Sequence, residues 1–164
     1  LNKENIATAH KLLSRHIVTT ASQGKYRTQN MYVSTDDGRI EYVAALPDKV
    51  GGEMEKLYSD LKYLLSQKMN ISEVFYYAAM IHLVFVKIHP WNDGNGRSAR
   101  LLEKWFLAEK LGSKAWFIES ERFYHDNHDM YFANIRKLGL EYEQLNYLQA
   151  DTFILMLQKS ISTK

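Results

Sequence analysis

The stretch from Ser72 to about Ile88 most constrains how this chain can fold, because apolar residues cover almost the whole surface of the helix it predicts. Those residues are Val74, Phe75, Ala78, Ala79, Ile81, Leu83, Val84 and Phe85. A helix that is apolar all round has to be enclosed by other elements. Its longest mostly apolar run, residues 75–86, is too short to span a bilayer. We therefore expect a buried central helix, capped by Ser72 with Glu73, in a protein with no membrane partner.

Apolar residues at helical spacing predict further helices around this one. An opening helix contains Ile6, Ala9, Leu12, Leu13 and Ile17 and ends within residues 19–24, and a second follows Pro47 with Val50, Met54, Leu57, Leu61, Leu64 and Leu65. Later helices are predicted over residues 97–111, ending at Gly112, over about 120–138, and over about 141–161, with a break near Gly139.

One part of the chain shows a strong strand pattern. The β-favouring runs Met31–Val33 and Ile40–Val43 flank residues 34–38, which end in an Asp-Gly turn signal. This pattern predicts a β-hairpin. The expected fold is therefore mainly α, a helical bundle with one β-hairpin, in a single domain over residues 1–164.

Charge and cysteine content exclude several functions. Lys and Arg number 21 and Asp and Glu number 19, a balance too even for nucleic acid as a partner, so any anion site must be local. The absence of cysteine excludes disulfides, thiolate metal sites and a cysteine nucleophile, and it fits a reducing compartment. Residues 1–5 have neither a signal-peptide shape nor an initiator Met. We expect a cytoplasmic protein, and a chain that is part of a longer one.

The residues best suited to chemistry lie in one segment, residues 89–100, with the sequence HPWNDGNGRSAR. A glycine-containing loop here separates the end of the central helix from the start of the next helix. Glycine permits positive φ, so Gly94 and Gly96 allow consecutive N–H groups to point at one spot. The N-terminus of the following helix adds partial positive charge. The segment therefore predicts an anion site.

Charged side chains in the same segment favour phosphate as the anion. Arg97 and Arg100 lie three residues apart at the start of a helix, where cations are unfavourable unless a polyanion is bound. Asp93 can hold a hard cation such as Mg²⁺. His89 is suited to accept a proton near neutral pH. A capped turn with solvated arginines is the competing interpretation, but no structural need brings these side chains together.

Two other motifs for phosphate or metal fail on the sequence. A P-loop requires Lys after its last glycine, whereas Gly96 is followed by Arg97. An EF-hand with Gly96 at its sixth position would run over residues 91–102 and lack both acidic termini.

Residues 89–100 resemble the signature of Fic domains, H-x-F-x-(D/E)-G-N-G-R-x-x-R, at every fixed position except the aromatic one, where Trp91 replaces Phe. Residues 24–28, GKYRT, resemble the family's G-x-Y-R-T, and residues 31–45 match its flap hairpin. Pro47 and the helix after it match the next segment of the family. The resemblance implies a Fic-type helical bundle with one β-hairpin flap.

The same resemblance implies protein adenylylation, the transfer of AMP from Mg-ATP to a Ser, Thr or Tyr hydroxyl of a target protein. His89 would deprotonate that hydroxyl, Asp93 would bind Mg²⁺, and Trp91 would be an apolar plug that orients the loop. The nucleotide would contact Gly94, Asn95 (including its side chain), Gly96, Arg97, Arg100 and Tyr131, the last of these in the adenine pocket.

Activity and regulation are less constrained than the fold. Gly96 before Arg97 resembles the AMP-transferring branch, because related phosphotransferring toxins have Lys at the position of Gly96. The alternative is a nucleotide-binding module that removes AMP or transfers another phosphate-linked group. The target protein is expected to pair with the hairpin at residues 31–45. The family's inhibitory pattern, (S/T)-x-x-x-E-(G/N), does not occur in this sequence. An inhibitory helix would then come from upstream sequence or a separate protein, or the domain is unregulated.

Other conspicuous residues have structural interpretations. His82 is expected to be a hydrogen-bonded core histidine. His125 and His128 have metal-like spacing, but the residues between them favour a turn or a helix start. The aromatic residues Trp105, Phe106, Trp116 and Phe117 are expected in the core.

Overall fold

The computed structural model describes residues 1–35 and 37–162. Within these residues the chain forms seven α-helices: α1 (Lys3–Leu13), α2 (Pro47–Ser66), α3 (Ile71–Ile88), α4 (Asn95–Leu111), α5 (Ser120–Asp126), α6 (His128–Arg136) and α7 (Asp151–Ser162). Helix α3 lies at the centre, with α2, α4 and α7 packed against it. The predicted mainly α bundle is confirmed.

Helix α3 is buried as its composition predicts, but its cap is Asn70 and not Ser72. The Asn70 side chain accepts from the Glu73 N–H at 3.0 Å, and the Glu73 carboxylate accepts from the Asn70 N–H at 2.8 Å. This reciprocal capping box starts the helix before Ser72. Over its 18 residues α3 is long and apolar enough to cross a membrane, unlike residues 75–86 alone, and 61% of it is buried inside the fold.

The hairpin consists of β1 (Tyr32–Ser34) and β2 (Ile40–Val43), which pair antiparallel as predicted. Asp36, in the predicted turn, lies outside the described residues. Strand β2 is tied to the helical bundle, because the Val43 N–H donates to the Leu140 carbonyl at 2.9 Å. The buried Glu41 carboxylate also accepts from Arg136 at 2.7 Å. These bonds hold one strand of the hairpin against the bundle.

Helix α1 ends at Leu13, earlier than its apolar pattern predicts. Both the N–H and the hydroxyl of Ser14 donate to the His10 carbonyl, at 2.9 and 2.6 Å, and a turn follows. Ile17 therefore lies beyond the helix, and Leu12, within it, is 73% exposed. The side chains that α1 buries are Ile6 and His10.

The last third of the chain differs most from the prediction. The segment predicted as one helix over 120–138 is two, α5 and α6, which meet at Asn127. Helix α7 begins at Asp151 and not near residue 141, because the backbone before it folds back. There the Asn146 N–H donates to the Leu138 carbonyl at 2.7 Å, and the intervening residues form short 3₁₀ turns.

Two aromatic residues predicted in the core are exposed. Trp116 and Phe117 are 41% and 79% exposed in a 3₁₀ turn that follows Gly112, the residue that ends α4 as predicted. Phe106, on α4, is fully buried, whereas Trp105 beside it is only partly buried. The prediction is therefore wrong for the pair after Gly112, because the apolar pattern there belongs to an exposed turn.

Candidate active site

His89 lies at the end of α3 in a left-handed conformation, with φ 54° and ψ 60°. Among the described residues it is the one non-glycine residue with positive φ. Such a conformation is unfavourable for most side chains and occurs disproportionately at functional sites. It turns the chain out of the buried helix and directly into the loop that precedes α4.

Arg27 holds this turn in place, and sequence reasoning assigned it no role. Its buried guanidinium donates to the carbonyls of Ile88 and His89 at the end of α3, at 3.2 and 2.6 Å. It also donates to the carbonyls of Gln29, at 2.6 Å, and Ala45. One side chain therefore joins the end of α3 to the segments on both sides of the hairpin. The only available signal was the GKYRT resemblance, which does not show that Arg27 is buried.

The surroundings of the His89 ring keep it neutral. Burial lowers the pKa of His89 to about 4, and the positive charge of Arg27 adds to this effect. The ring nitrogen Nδ1 lies 3.1 Å from the hydroxyl of Tyr42, on strand β2. The imidazole is thus unprotonated at pH 7, as a proton acceptor has to be.

Asn95 and Trp91 brace the loop between α3 and α4. Trp91 is 1% exposed, which agrees with its expected role as an apolar plug. The Asn95 side chain accepts from the Trp91 N–H at 2.9 Å and donates to the Trp91 carbonyl at 2.8 Å. Asn95 is itself buried, so its side chain braces the loop, and the predicted side-chain donor to phosphate is not supported.

Helix α4 begins at Asn95, two residues before its predicted start. Gly94 precedes it with φ 80°, and the first intrahelical bond runs from the Ser98 N–H to the Gly94 carbonyl at 2.9 Å. The N–H groups of residues 95–97 therefore have no partner within the helix and face out of its N-terminus. This gives the predicted anion site its N–H donors.

The two arginines of the segment differ in their partners. Arg97 lies 3.5 Å from the Asp93 carboxylate, whereas Arg100 makes no ion pair or hydrogen bond within the part of the chain that the structure describes. The Arg100 guanidinium lies close to Gly96, where an added Cβ would be 3.2 Å from it. An unpaired arginine beside a helix N-terminus is suited to an anionic ligand.

Two cavities open on either side of Arg100. The first, of about 360 Å³, is lined by Arg100, Glu121, Tyr124, His125, His128, Tyr131 and Phe132. The second, of about 330 Å³, is lined by Leu13, Arg97, Arg100, Leu101, Lys104 and Glu121. The carboxylate of Glu121, common to both, is paired with Lys104. Arg100 therefore lines both cavities, and no carboxylate of the described residues pairs with it.

A buried polar network supports the wall of the first cavity. The Glu103 carboxylate contacts the His82 ring and accepts from Tyr124, both at 2.7 Å, and His82 Nε2 lies 3.0 Å from the Tyr131 hydroxyl. The prediction of a core histidine at position 82 is confirmed. Tyr131 is 6% exposed, so it forms part of the wall with its hydroxyl directed into the network.

The residues present fit a magnesium ion that arrives with its nucleotide. The Asp93 side chain is 56% exposed on the loop. No group of three or more potential metal ligands occurs in residues 1–35 and 37–162. Mg²⁺ commonly binds through one or two carboxylates plus substrate phosphates and water, which requires no protein cage. His125 and His128 flank the junction between α5 and α6, as the turn interpretation predicts.

Comparisons with known proteins agree with this arrangement. The sequence profile of the Fic/DOC family matches residues 1–107. A protein adenylyltransferase Fic from Nematostella vectensis is 33% identical over 108 residues, which cover 66% of this chain and 22% of that protein. The chain thus spans less than a quarter of the length of that relative, and 20% of a second protein adenylyltransferase Fic, from Culex quinquefasciatus.

Solved structures share the fold at low sequence identity. A Fic family protein from Desulfovibrio desulfuricans G20 is 20% identical with a TM-score of 0.71, covering 98% of this chain and 47% of that one. A Bartonella tribocorum effector, BepC, solved with bound AMPPNP, is 14% identical with a TM-score of 0.63, covering 96% of this chain and 73% of that one. At these identities the likeness establishes the fold alone.

Proposed function

The chain belongs to the Fic/DOC family, and from that membership we propose that it transfers AMP from Mg-ATP to a Ser, Thr or Tyr hydroxyl of a target protein. The observation that best supports this function is the placement of a neutral His89 at the end of α3, six residues before α4 begins, together with Arg100 in the first turns of α4 without a partner in the described chain. A proton acceptor and a phosphate site thereby adjoin each other. The curated relatives named protein adenylyltransferase support the same reaction.

The proposed step needs one proton acceptor and one leaving group. The target hydroxyl oxygen attacks the α-phosphorus of ATP, and its proton moves to the free ring nitrogen of His89. The bond between the α-phosphorus and the oxygen bridging to the β-phosphate breaks, and pyrophosphate leaves with the electron pair. The products are the AMP-modified side chain and pyrophosphate, and His89 then returns its proton to solvent.

The rest of the site holds the nucleotide. The N–H groups around Gly94, Asn95 and Gly96, with the Arg97 and Arg100 side chains, would bind the phosphates. Asp93 would hold Mg²⁺, which neutralises phosphate charge when bound. Tyr131, in the wall of the first cavity, would contact the adenine.

The hairpin is the proposed docking surface for the target protein. Strand β1 pairs only with β2 among the described strands, so one of its edges is open, and Tyr32 is 61% exposed. An extended target segment can add to such an edge through main-chain hydrogen bonds. Strand β1 pairs with β2, which carries Tyr42 next to His89, so a segment added to β1 would lie one strand away from the residue that contacts the proton acceptor.

Label position in ATP distinguishes AMP transfer from the alternatives. Incubation of the chain and a cell lysate with ATP labelled at the α-phosphate should label protein, and ATP labelled at the γ-phosphate should not. Protein labelled from the γ-phosphate would instead indicate phosphoryl transfer. A chain that binds ATP but labels nothing from either position would contradict the proposed activity.

Replacement of Arg100 by Ala should weaken ATP binding by about tenfold to a hundredfold, because a charge-assisted hydrogen bond contributes about 1.5–3 kcal/mol. The melting temperature without ATP should stay unchanged or rise, since Arg100 has no partner in the described chain and lies near the cation of Arg97. Calorimetric titration and a thermal scan measure the two effects.

A charge-matched control for this prediction is Lys68→Ala. Lys68 is exposed in the connection before α3, an 18-residue helix about 27 Å long, and His89 lies at the opposite end of that helix. The Lys68→Ala substitution should leave the affinity for ATP unchanged. A large fall in melting temperature for Arg100→Ala alone would show that Arg100 is structural.

A further inference from the structure

His10, on helix α1, makes two hydrogen bonds that together determine which of its ring nitrogens is protonated. The Gly24 N–H donates to Nδ1 at 2.9 Å, so Nδ1 must be an acceptor. The other nitrogen, Nε2, lies 3.0 Å from the Asp93 carbonyl oxygen, which can only accept. The neutral ring with its proton on Nε2 satisfies both contacts. His10 is 1% exposed, so its ring is shielded from solvent.

The ring is also held from its faces. It stacks on the Trp91 indole with centroids 4.5 Å apart and an interplanar angle of 12°. Behind the loop, Gly94 has φ 80°, and a Cβ added there would be 3.4 Å from His10 Nε2. His10 is thus a fixed donor directly beneath the Asp93–Gly94 peptide.

The geometry of that peptide relates His10 to the Asp93 carboxylate. In a trans peptide the C=O and N–H point in opposite directions. Since the Asp93 carbonyl points at His10, the Gly94 N–H points away from it, and this N–H donates to the Asp93 carboxylate. The carboxylate is therefore held on the side away from His10, where it is 56% exposed.

We propose that His10 is a positioning residue whose bond to the Asp93 carbonyl presents the Asp93 carboxylate to the magnesium ion of Mg-ATP. The proposal rests on the proposed function for the identity of the ligand, and on the observed contacts for the geometry. Outer contacts of this kind commonly change metal affinity by 10–100-fold when they are removed.

Two substitutions separate this bond from the packing of His10. Both His10→Gln and His10→Leu remove the stack on Trp91, but the Gln amide keeps an N–H donor of similar reach for the Asp93 carbonyl, and Leu keeps none. The difference between the two variants therefore reports the hydrogen bonding of the side chain at position 10, in which the bond to Asp93 is the one that adjoins the carboxylate. Asp93→Asn provides the reference for complete loss of the carboxylate.

The measurement is the affinity for ATP with Mg²⁺ and with chelator, by calorimetric titration of the whole chain. The ratio of the two affinities is the gain from the metal. We expect His10→Leu to reduce this gain by about tenfold or more, towards the value of Asp93→Asn, and His10→Gln to keep it within about threefold of the parent chain. Thermal scans establish that each variant is folded.

Equal gains in His10→Leu and His10→Gln, with both folded, would overturn the proposal and leave His10 as a packing residue. A second readout needs no nucleotide: the ¹⁵N spectrum of the histidine rings should show His10, identified by its loss in His10→Gln, with the proton on Nε2. The opposite tautomer would also overturn it. Absence of AMP transfer in a chain that retains the metal-dependent gain would refute the proposed function and leave this inference intact.

Discussion

Replacing His89 by Asn should reduce AMP transfer by about 10²–10⁴-fold, the usual contribution of a general base, while ATP affinity stays nearly unchanged. The choice of Asn follows from the backbone, because His89 has φ 54° and Asn tolerates the left-handed region better than most residues. Its amide cannot accept a proton near neutral pH, so the substitution removes the chemistry and keeps the turn. Rates of AMP incorporation and calorimetric ATP titrations measure the two quantities.

The companion variant His89→Ala tests the same role with a larger backbone cost. It should be as inactive as His89→Asn and less stable, since Ala does not favour positive φ. Loss of ATP binding in parallel with loss of transfer, in both variants, would show that His89 positions the nucleotide and does not act as the base.

Replacing Arg27 by Met should lower the free energy of unfolding by about 3–5 kcal/mol, because it removes a buried guanidinium whose hydrogen bonds to the Ala45 and Ile88 carbonyls are buried and whose other two are partly buried. The carbonyls that lose a donor are those of Gln29, Ala45, Ile88 and His89. Met keeps much of the side-chain volume, so the loss reports mainly the hydrogen bonds. Denaturant unfolding of the variant and the parent chain measures the difference.

The control for Arg27 is Arg122→Met. The Arg122 side chain is 73% exposed on α5, and its ion pairs with described residues are long, at 3.6 and 3.8 Å, so this substitution should change stability by less than about 1 kcal/mol. If Arg27→Met cost as little, the guanidinium would not be joining α3 to the hairpin segments.

Much of the fold follows from local patterns in the sequence. The apolar surface of α3, the stripe of α2 and the Asp-Gly turn of the hairpin each require only neighbouring residues to be interpreted. Local competition explains the errors at helix ends. Asn70 caps α3 because it lies three residues before Glu73, the spacing that a reciprocal capping box requires, whereas Ser72 directly precedes Glu73.

The apolar spacing of the segment before α7 predicts a helix. Its backbone instead bonds to distant partners, such as the Leu140 carbonyl to the Val43 N–H. A pattern confined to neighbouring residues contains no information on such a contact. Tertiary hydrogen bonding therefore overrides local propensity here.

The candidate site divides in the same way. His89, Asp93, Arg97 and Arg100 lie within twelve consecutive residues, so their association is visible in the sequence. Arg27 bonds to His89 across 62 residues, and His10 bonds to Asp93 across 83. Spacing within a motif cannot reveal residues that support it from elsewhere in the chain.

The most direct test of the account is intact-mass spectrometry of the chain after incubation with Mg-ATP. No glutamate in the described chain pairs with Arg100, and the sequence contains no inhibitory pattern, so the chain should be active as it stands, at least towards its own exposed hydroxyls. We expect a fraction of molecules to gain the mass of one AMP, and His89→Asn to prevent this gain. No adduct on the chain or on any protein of a cell lysate, or an adduct that persists in His89→Asn, would contradict the claim that this is an AMP transferase acting through His89.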